Sequence, residues 1–108
     1  MPHAEIKYST DLVIDPKAIL AEIEAVIQDH DGSAGDCKGR GYPTSHYHPS
    51  HITISVALLV KPHRDDTYSK TLLNKLETRI KALIHVPCAF SLGLEYITPF
   101  YVTSLHKP

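Results

Sequence analysis

At 108 residues the chain has room for one domain, and 43% hydrophobic residues is the proportion of a folded domain rather than a disordered segment. Eleven Lys and Arg against twelve Asp and Glu leave a net charge of -1, which excludes recruitment of nucleic acid or an anionic membrane by bulk charge. Two cysteines, Cys37 and Cys88, are too few for a disulfide framework, and the apolar run Ile52 to Val60 is too short to span a bilayer. The opening MPHAEIKYSTD has neither the basic nor the long apolar region of a signal peptide. The expectation is a cytoplasmic single domain over residues 1–108 with reduced thiols.

In chain order, His3 to Tyr8 alternates, with Ala4, Ile6 and Tyr8 on one face and Glu5 and Lys7 on the other, which predicts a strand. Asp15-Pro16 is a helix N-cap followed by a proline at the first helical position. Ile19, Leu20, Ile23, Val26 and Ile27 then recur at three- and four-residue spacing, an apolar stripe on a helix that ends at Asp31-Gly32-Ser33. The stretch from Gly32 to Ser50 is rich in Gly, Pro, Ser, Asp and His. It holds a basic piece, Lys38-Gly39-Arg40-Gly41, and a short strand around Cys37 to Tyr42 that the glycines weaken.

Ile52, Ile54, Val56, Leu58 and Val60 fill one face of the strongest strand, and Ala57 and Leu59 make its other face apolar too. Lys61 to Asp66 reads as a loop ending in acidic caps. Leu72, Leu73, Leu76, Ile80, Leu83 and Ile84 form the stripe of a second helix, stopped by Val86-Pro87. Phe90, Leu92, Leu94 and Tyr96 alternate with Ser91, Gly93 and Glu95 in a further strand, and the tail from Thr98 to Pro108 reads as one more edge strand.

The order is strand, helix, weak strand, then strand, helix, strand, in halves of about 1–50 and 51–108. Each half is a β-α-β unit whose strands are parallel and whose crossover is right-handed. Joined, they make an α/β (two-layer α+β) fold, a four-stranded mostly parallel sheet with both helices on one face. The uncovered face predicts association with further copies of the chain.

Several residues carry a resemblance beyond this pattern. They are Met1-Pro2-His3, Tyr8-Ser9 at the end of the first strand, the Lys38-Gly39-Arg40 loop, Arg64-Asp65 before the second helix, and the strand Phe90-Ser91-Leu92-Gly93-Leu94-Glu95-Tyr96. Together they resemble the 5-carboxymethyl-2-hydroxymuconate isomerase family of the tautomerase superfamily. The resemblance implies a tandem β-α-β homotrimer with sheets packed inward, and catalysis without metal or cofactor on a small carboxylate, such as an aromatic-degradation intermediate. It assigns Pro2 as the catalytic base once Met1 is removed, and Arg40, Arg64 and Lys38 as substrate-binding cations. Lys38 stands where the family has an arginine, and lysine is the poorer bidentate partner for a carboxylate.

The proposed chemistry agrees with the residue types. A terminal proline is a secondary amine, and nearby cations or an apolar pocket lower its proton affinity toward the useful range. Of the three arginines, Arg79 falls on the polar side of the second helix and reads as solvated. His46, His48 and His51 offer imidazoles to zinc or nickel but have no acidic or thiol partner nearby in sequence, so they read as solvated loop residues. Cys88 reads as a core thiol, and Cys37 beside Lys38 as a slightly better candidate for a reactive one. The competing function is a non-catalytic oligomeric protein that binds a ligand or metal on the same scaffold.

Overall fold

The computed structural model describes residues 1–108. Its elements are β1 (His3–Ser9), α1 (Pro16–His30), β2 (Lys38–Thr44), β3 (His51–Leu59), α2 (Asp66–Lys81) and β4 (Ala89–Ile97). The sheet order is β2-β1-β3-β4. β1 pairs parallel with β2 and β3 parallel with β4, as two β-α-β units require, while β1 and β3 meet antiparallel at the centre. The sheet is therefore mixed, because the two units join edge to edge running in opposite directions. No helix is long and apolar enough to cross a membrane.

The helix boundaries follow from local chemistry. The Asp15 carboxylate accepts from the Ala18 amide and Asp65 accepts from the Tyr68 amide, each satisfying a free N–H of the first turn. Ile19, Ile23, Val26 and Ile27 of α1 and Leu72, Leu76 and Ile80 of α2 are buried against Ala4, Ile6, Ile52, Ile54, Val56 and Leu58 of the sheet. A fully buried Ile or Leu side chain contributes about 1.5–3 kcal/mol relative to an exposed one. α2 ends at Lys81, earlier than its apolar stripe predicts, and Leu83 and Ile84 pack against the core from the following loop.

The glycines of β2 have a packing reason. A Cβ on Gly39 would lie 2.6 Å from Leu20 Cδ2, and one on Gly41 would lie 3.2 Å from Pro16 Cβ. β2 thus runs close under α1, and its alternate residues Lys38, Arg40 and Tyr42 take the opposite, helix-free face.

Two expectations need correction. The tail from Thr98 is not a strand; it has no regular structure and leaves Phe100, Val102 and Leu105 exposed. It crosses instead to the start of the sheet, where Tyr101 and Thr103 make side-chain contacts with His3 and Lys38 in place of a backbone ladder. The helix-free face is also less apolar than Ala57 and Leu59 suggest. The strand register sets them among His3, Glu5, Lys7, Thr53, Ser55, Ser91 and Glu95, so this face is mixed.

Candidate active site

The chain begins at one end of the sheet, where the first residues of β1 and β2 lie side by side. Pro2 is buried, and its carbonyl accepts from the Lys38 amide at 3.0 Å. This bond extends the β1–β2 ladder to the residue before β1. The terminal amine, that of Met1, has a lowered proton affinity, from burial first and then from the charges of Lys61, Arg64 and Lys38. Three cations, Lys38 on β2 and Lys61 and Arg64 in the loop between β3 and α2, therefore act on one end of the chain, the arrangement that favours an anionic ligand.

A cavity of about 240 Å³ opens at this point, lined by Met1, Lys38, Thr103, Ser104 and Leu105. The C-terminal tail forms its far wall. Tyr101 reaches back to His3, with its hydroxyl 2.7 Å from His3 Nε2, and Lys38 Nζ donates to Thr103 Oγ1 at 3.3 Å. A larger groove of about 530 Å³ runs between α2 and β4, lined by Lys70, Leu73, Asn74, Glu77, Phe90, Ser91 and Leu92. It holds one lysine and one glutamate, and the glutamate is already paired with Lys81 at 2.8 Å.

Arg40 on β2 and Arg64 in the loop before α2 sit in opposite environments. Arg40 lies at the edge on β2 and is substantially exposed; its Nε donates to Glu5 at 3.3 Å and its Nη2 lies 3.5 Å from His3 Nδ1. Its remaining N–H donors are open to a ligand. The Arg64 side chain is only 3% exposed. Its Nε and Nη2 donate to Asp31 Oδ2 at 3.0 Å, and its Nη1 donates to the Leu59 carbonyl at 2.8 Å. Arg64 therefore reaches the chain start through its field, with its donors already engaged.

Asp31 is the hub of that buried cluster. It caps the end of α1 and accepts from the Ser33 amide and hydroxyl, from His63 at 3.0 Å and from the Tyr68 hydroxyl at 2.8 Å. Burial alone would raise its affinity for protons, but these hydrogen bonds hold its carboxyl well below the usual carboxylate range. Tyr68, half-buried beside this carboxylate, is pushed up to about 12. The cluster ties the end of α1 to the start of α2.

Of the residues singled out in the sequence, Pro2 and Lys38 come together, Arg40 joins them by way of His3, and Arg64 stands behind. Lys61, His3 and Tyr101 were given no site role from the sequence. Lys61 follows β3 and donates to the Ser33 carbonyl at 3.2 Å. His3 falls opposite the buried Ala4 and Ile6 by simple alternation, a signal legible in the sequence. Tyr101 has no such signal, since its partner is 98 residues away. Cys37 is near this end, but burial and the Glu24 carboxylate push its thiol up to about 11, which keeps it protonated. His46, His48 and His51 do not converge with other donors, and no group of three His, Cys, Asp or Glu side chains is placed to hold a metal.

No family model and no curated protein matches this chain. Among solved structures it is similar to 5-carboxymethyl-2-hydroxymuconate delta-isomerase, with a TM-score of 0.63 and 16% identity over 100% of this chain and 89% of that one. It is similar to native fused 4-OT, with a TM-score of 0.64 and 18% identity over 89% of this chain and 87% of that one. A fused 4-OT wild type symmetric trimer gives a TM-score of 0.69 at 13% identity, over 95% of this chain and 93% of that one. Identities at this level carry the fold and leave the chemistry to the site. The chain shares the fold of these structures, two β-α-β units in one sheet, with its first residues at a cationic end of that sheet.

Proposed function

We propose that the protein is a cofactor-independent isomerase that moves a proton between carbon atoms of a small unsaturated 2-oxo or 2-hydroxy acid, with Pro2 as the base. The observation that carries this reading is the chain start itself. It lies beside a cavity, with the Pro2 carbonyl held by the Lys38 amide, and burial and the charges of Lys61, Arg64 and Lys38 lower the proton affinity of the Met1 amine that stands next to it. With Met1 in place the Pro2 nitrogen is an amide and has no basicity. Removing Met1 makes it a secondary amine and clears a residue that lines the cavity.

The reaction then follows from the charges. The neutral proline nitrogen takes the 2-hydroxyl proton of an enol acid, or a proton from carbon next to the carbonyl of a 2-oxo acid, and either loss leaves the same dienolate with its charge shared between oxygen and carbon. Lys38 and Arg40 hold the substrate carboxylate and the developing enolate oxygen, while Arg64 and Lys61 add field without leaving their own partners. The same nitrogen returns the proton at a second carbon. The fold's similarity to an isomerase and to fused 4-OT supports this class of chemistry, and the likeness to a symmetric trimer supports assembly as a homotrimer.

The test is turnover of 2-hydroxymuconate- and phenylenolpyruvate-type substrates by protein lacking Met1. Pro2→Ala should lower kcat/KM by about two to four orders of magnitude, the share of a positioned general base. Protein that retains Met1 should be inactive. Equal turnover by the retained and processed forms would overturn the proline mechanism.

A further inference from the structure

The C-terminal tail is the one segment whose placement the proposed reaction leaves unexplained. It leaves Phe100 and Val102 fully in solvent, yet turns the residues between and after them, Tyr101 and Thr103, onto the chain start. Tyr101 is half-buried and stands edge-on to His3, with ring centroids 5.9 Å apart and planes at 86°. The partners of His3 define a directed chain. An arginine has donors only, so Nδ1 of His3 accepts from Arg40, and Nε2 must carry the ring proton and donate it to the Tyr101 hydroxyl. That requires a neutral imidazole. Burial and the charges of Arg40, Lys38 and the terminal amine lower the proton affinity of His3, against the opposing pull of Glu5.

We infer that Tyr101 is a positioning residue for the carboxylate-binding cation Arg40, acting through His3. The hydroxyl fixes the imidazole in its Nε2–H form and its ring plane. His3 and Glu5 then hold the Arg40 guanidinium from two sides, with its other donors directed to the ligand. The ordering cost of a long flexible side chain is met before the carboxylate arrives. Thr103 acts on Lys38 in the same direction from the same segment. The tail thereby sets the geometry of both front cations, which suits a small substrate whose carboxylate lies across the β1–β2 edge. The inference rests on the site proposed at the chain start.

Three measurements test it on the full chain without Met1. The first is the ¹⁵N spectrum of the His3 ring near pH 7.5. It should show the Nε2–H tautomer in the wild type and a mixture in Tyr101→Phe, which deletes only the hydroxyl. The second is the affinity for maleate, a dicarboxylate probe, by calorimetry. Tyr101→Phe should weaken it by about five- to tenfold, the scale of one hydrogen bond. In an Arg40→Ala background the same change should cost nothing further. The third is turnover, where Tyr101→Phe should raise KM more than it lowers kcat.

A Tyr101→Phe protein with unchanged tautomer and unchanged maleate affinity would overturn the inference. So would an equal loss in the Arg40→Ala background, or a wild type that does not bind maleate. If the wild type fails to turn over the isomerase substrates but the tautomer and affinity shift as expected, only the proton-transfer reading falls.

Discussion

Arg40 and Arg64 are the same residue type at two ends of one site, and they are held in opposite ways. Arg64 is buried among Asp31, Tyr68 and the Leu59 carbonyl, with each of its three nitrogens engaged. Arg40 lies on an open sheet edge, steadied by Glu5 and His3 with donors to spare. A buried, fully partnered guanidinium stabilises the fold and supplies a fixed field. An exposed, half-partnered one can exchange water for a ligand at small cost. Charge at a strand end is thus no guide to role until its partners are known.

The largest effect that separates the two should come from Arg64→Ala. It leaves the Asp31 carboxylate buried without its cation, and the loss of stability should be about 3–5 kcal/mol by urea unfolding. A loss below about 1 kcal/mol would mean that Arg64 is not the structural member of the pair.

The acid limb of the stability curve tests the same cluster from the other side. The folded Asp31 carboxyl binds protons more weakly than the unfolded one, which titrates near about 3.9. Its contribution is therefore complete above roughly pH 5 and is lost as pH falls through 4 and below. Asp31→Asn should be less stable at neutral pH and should show a flatter fall in that acid range. Parallel curves for the two proteins would show that Asp31 does not carry the acid dependence.

Gly39→Ala probes the strand that carries Arg40. The new Cβ would press on Leu20, and overpacking of this kind costs about 1–3 kcal/mol. Gly41→Ala, with its nearest contact at 3.2 Å, should cost less. Thermal unfolding ranks the two, and a larger loss at Gly41 would mean that β2 sits differently under α1.

Arg40→Ala should have the smallest effect on stability, below about 1 kcal/mol, since exposed ion pairs contribute little. Its effect should appear in carboxylate binding instead, as a rise of about tenfold or more in the dissociation constant, the scale of a charge-assisted hydrogen bond. Calorimetry beside urea unfolding gives both readings. A large stability loss with unchanged binding would exchange the roles assigned to the two arginines.

Much of the fold was legible because it depends on local periodicity. The stripes of Ile19, Ile23, Val26 and Ile27 and of Leu72, Leu76 and Ile80 give both helices, and Asp15 and Asp65 set where they start. The alternation of β1 and β3 gives the central strands, and the order of elements gives two β-α-β units. β2 was the weak point, since Gly39 and Gly41 look like strand breakers. They are there because Leu20 and Pro16 of α1 leave no room for a side chain, a contact that only the packed structure contains.

The site divides along the same line. Pro2, Lys38 and Arg40 lie within or beside elements whose position follows from the sequence pattern, and the first two become neighbours as soon as β1 pairs with β2. The sequence by itself determined the two repeated units, their helices and the face each strand buries, because hydrophobic period and caps act over a few residues. Only the tertiary structure decided that β1 and β3 meet antiparallel, that Arg64 is spent on Asp31, and that Tyr101 crosses to His3. Those outcomes depend on which distant surfaces meet once the core is packed, and nothing in the spacing of neighbouring residues encodes a contact 33 or 98 positions away.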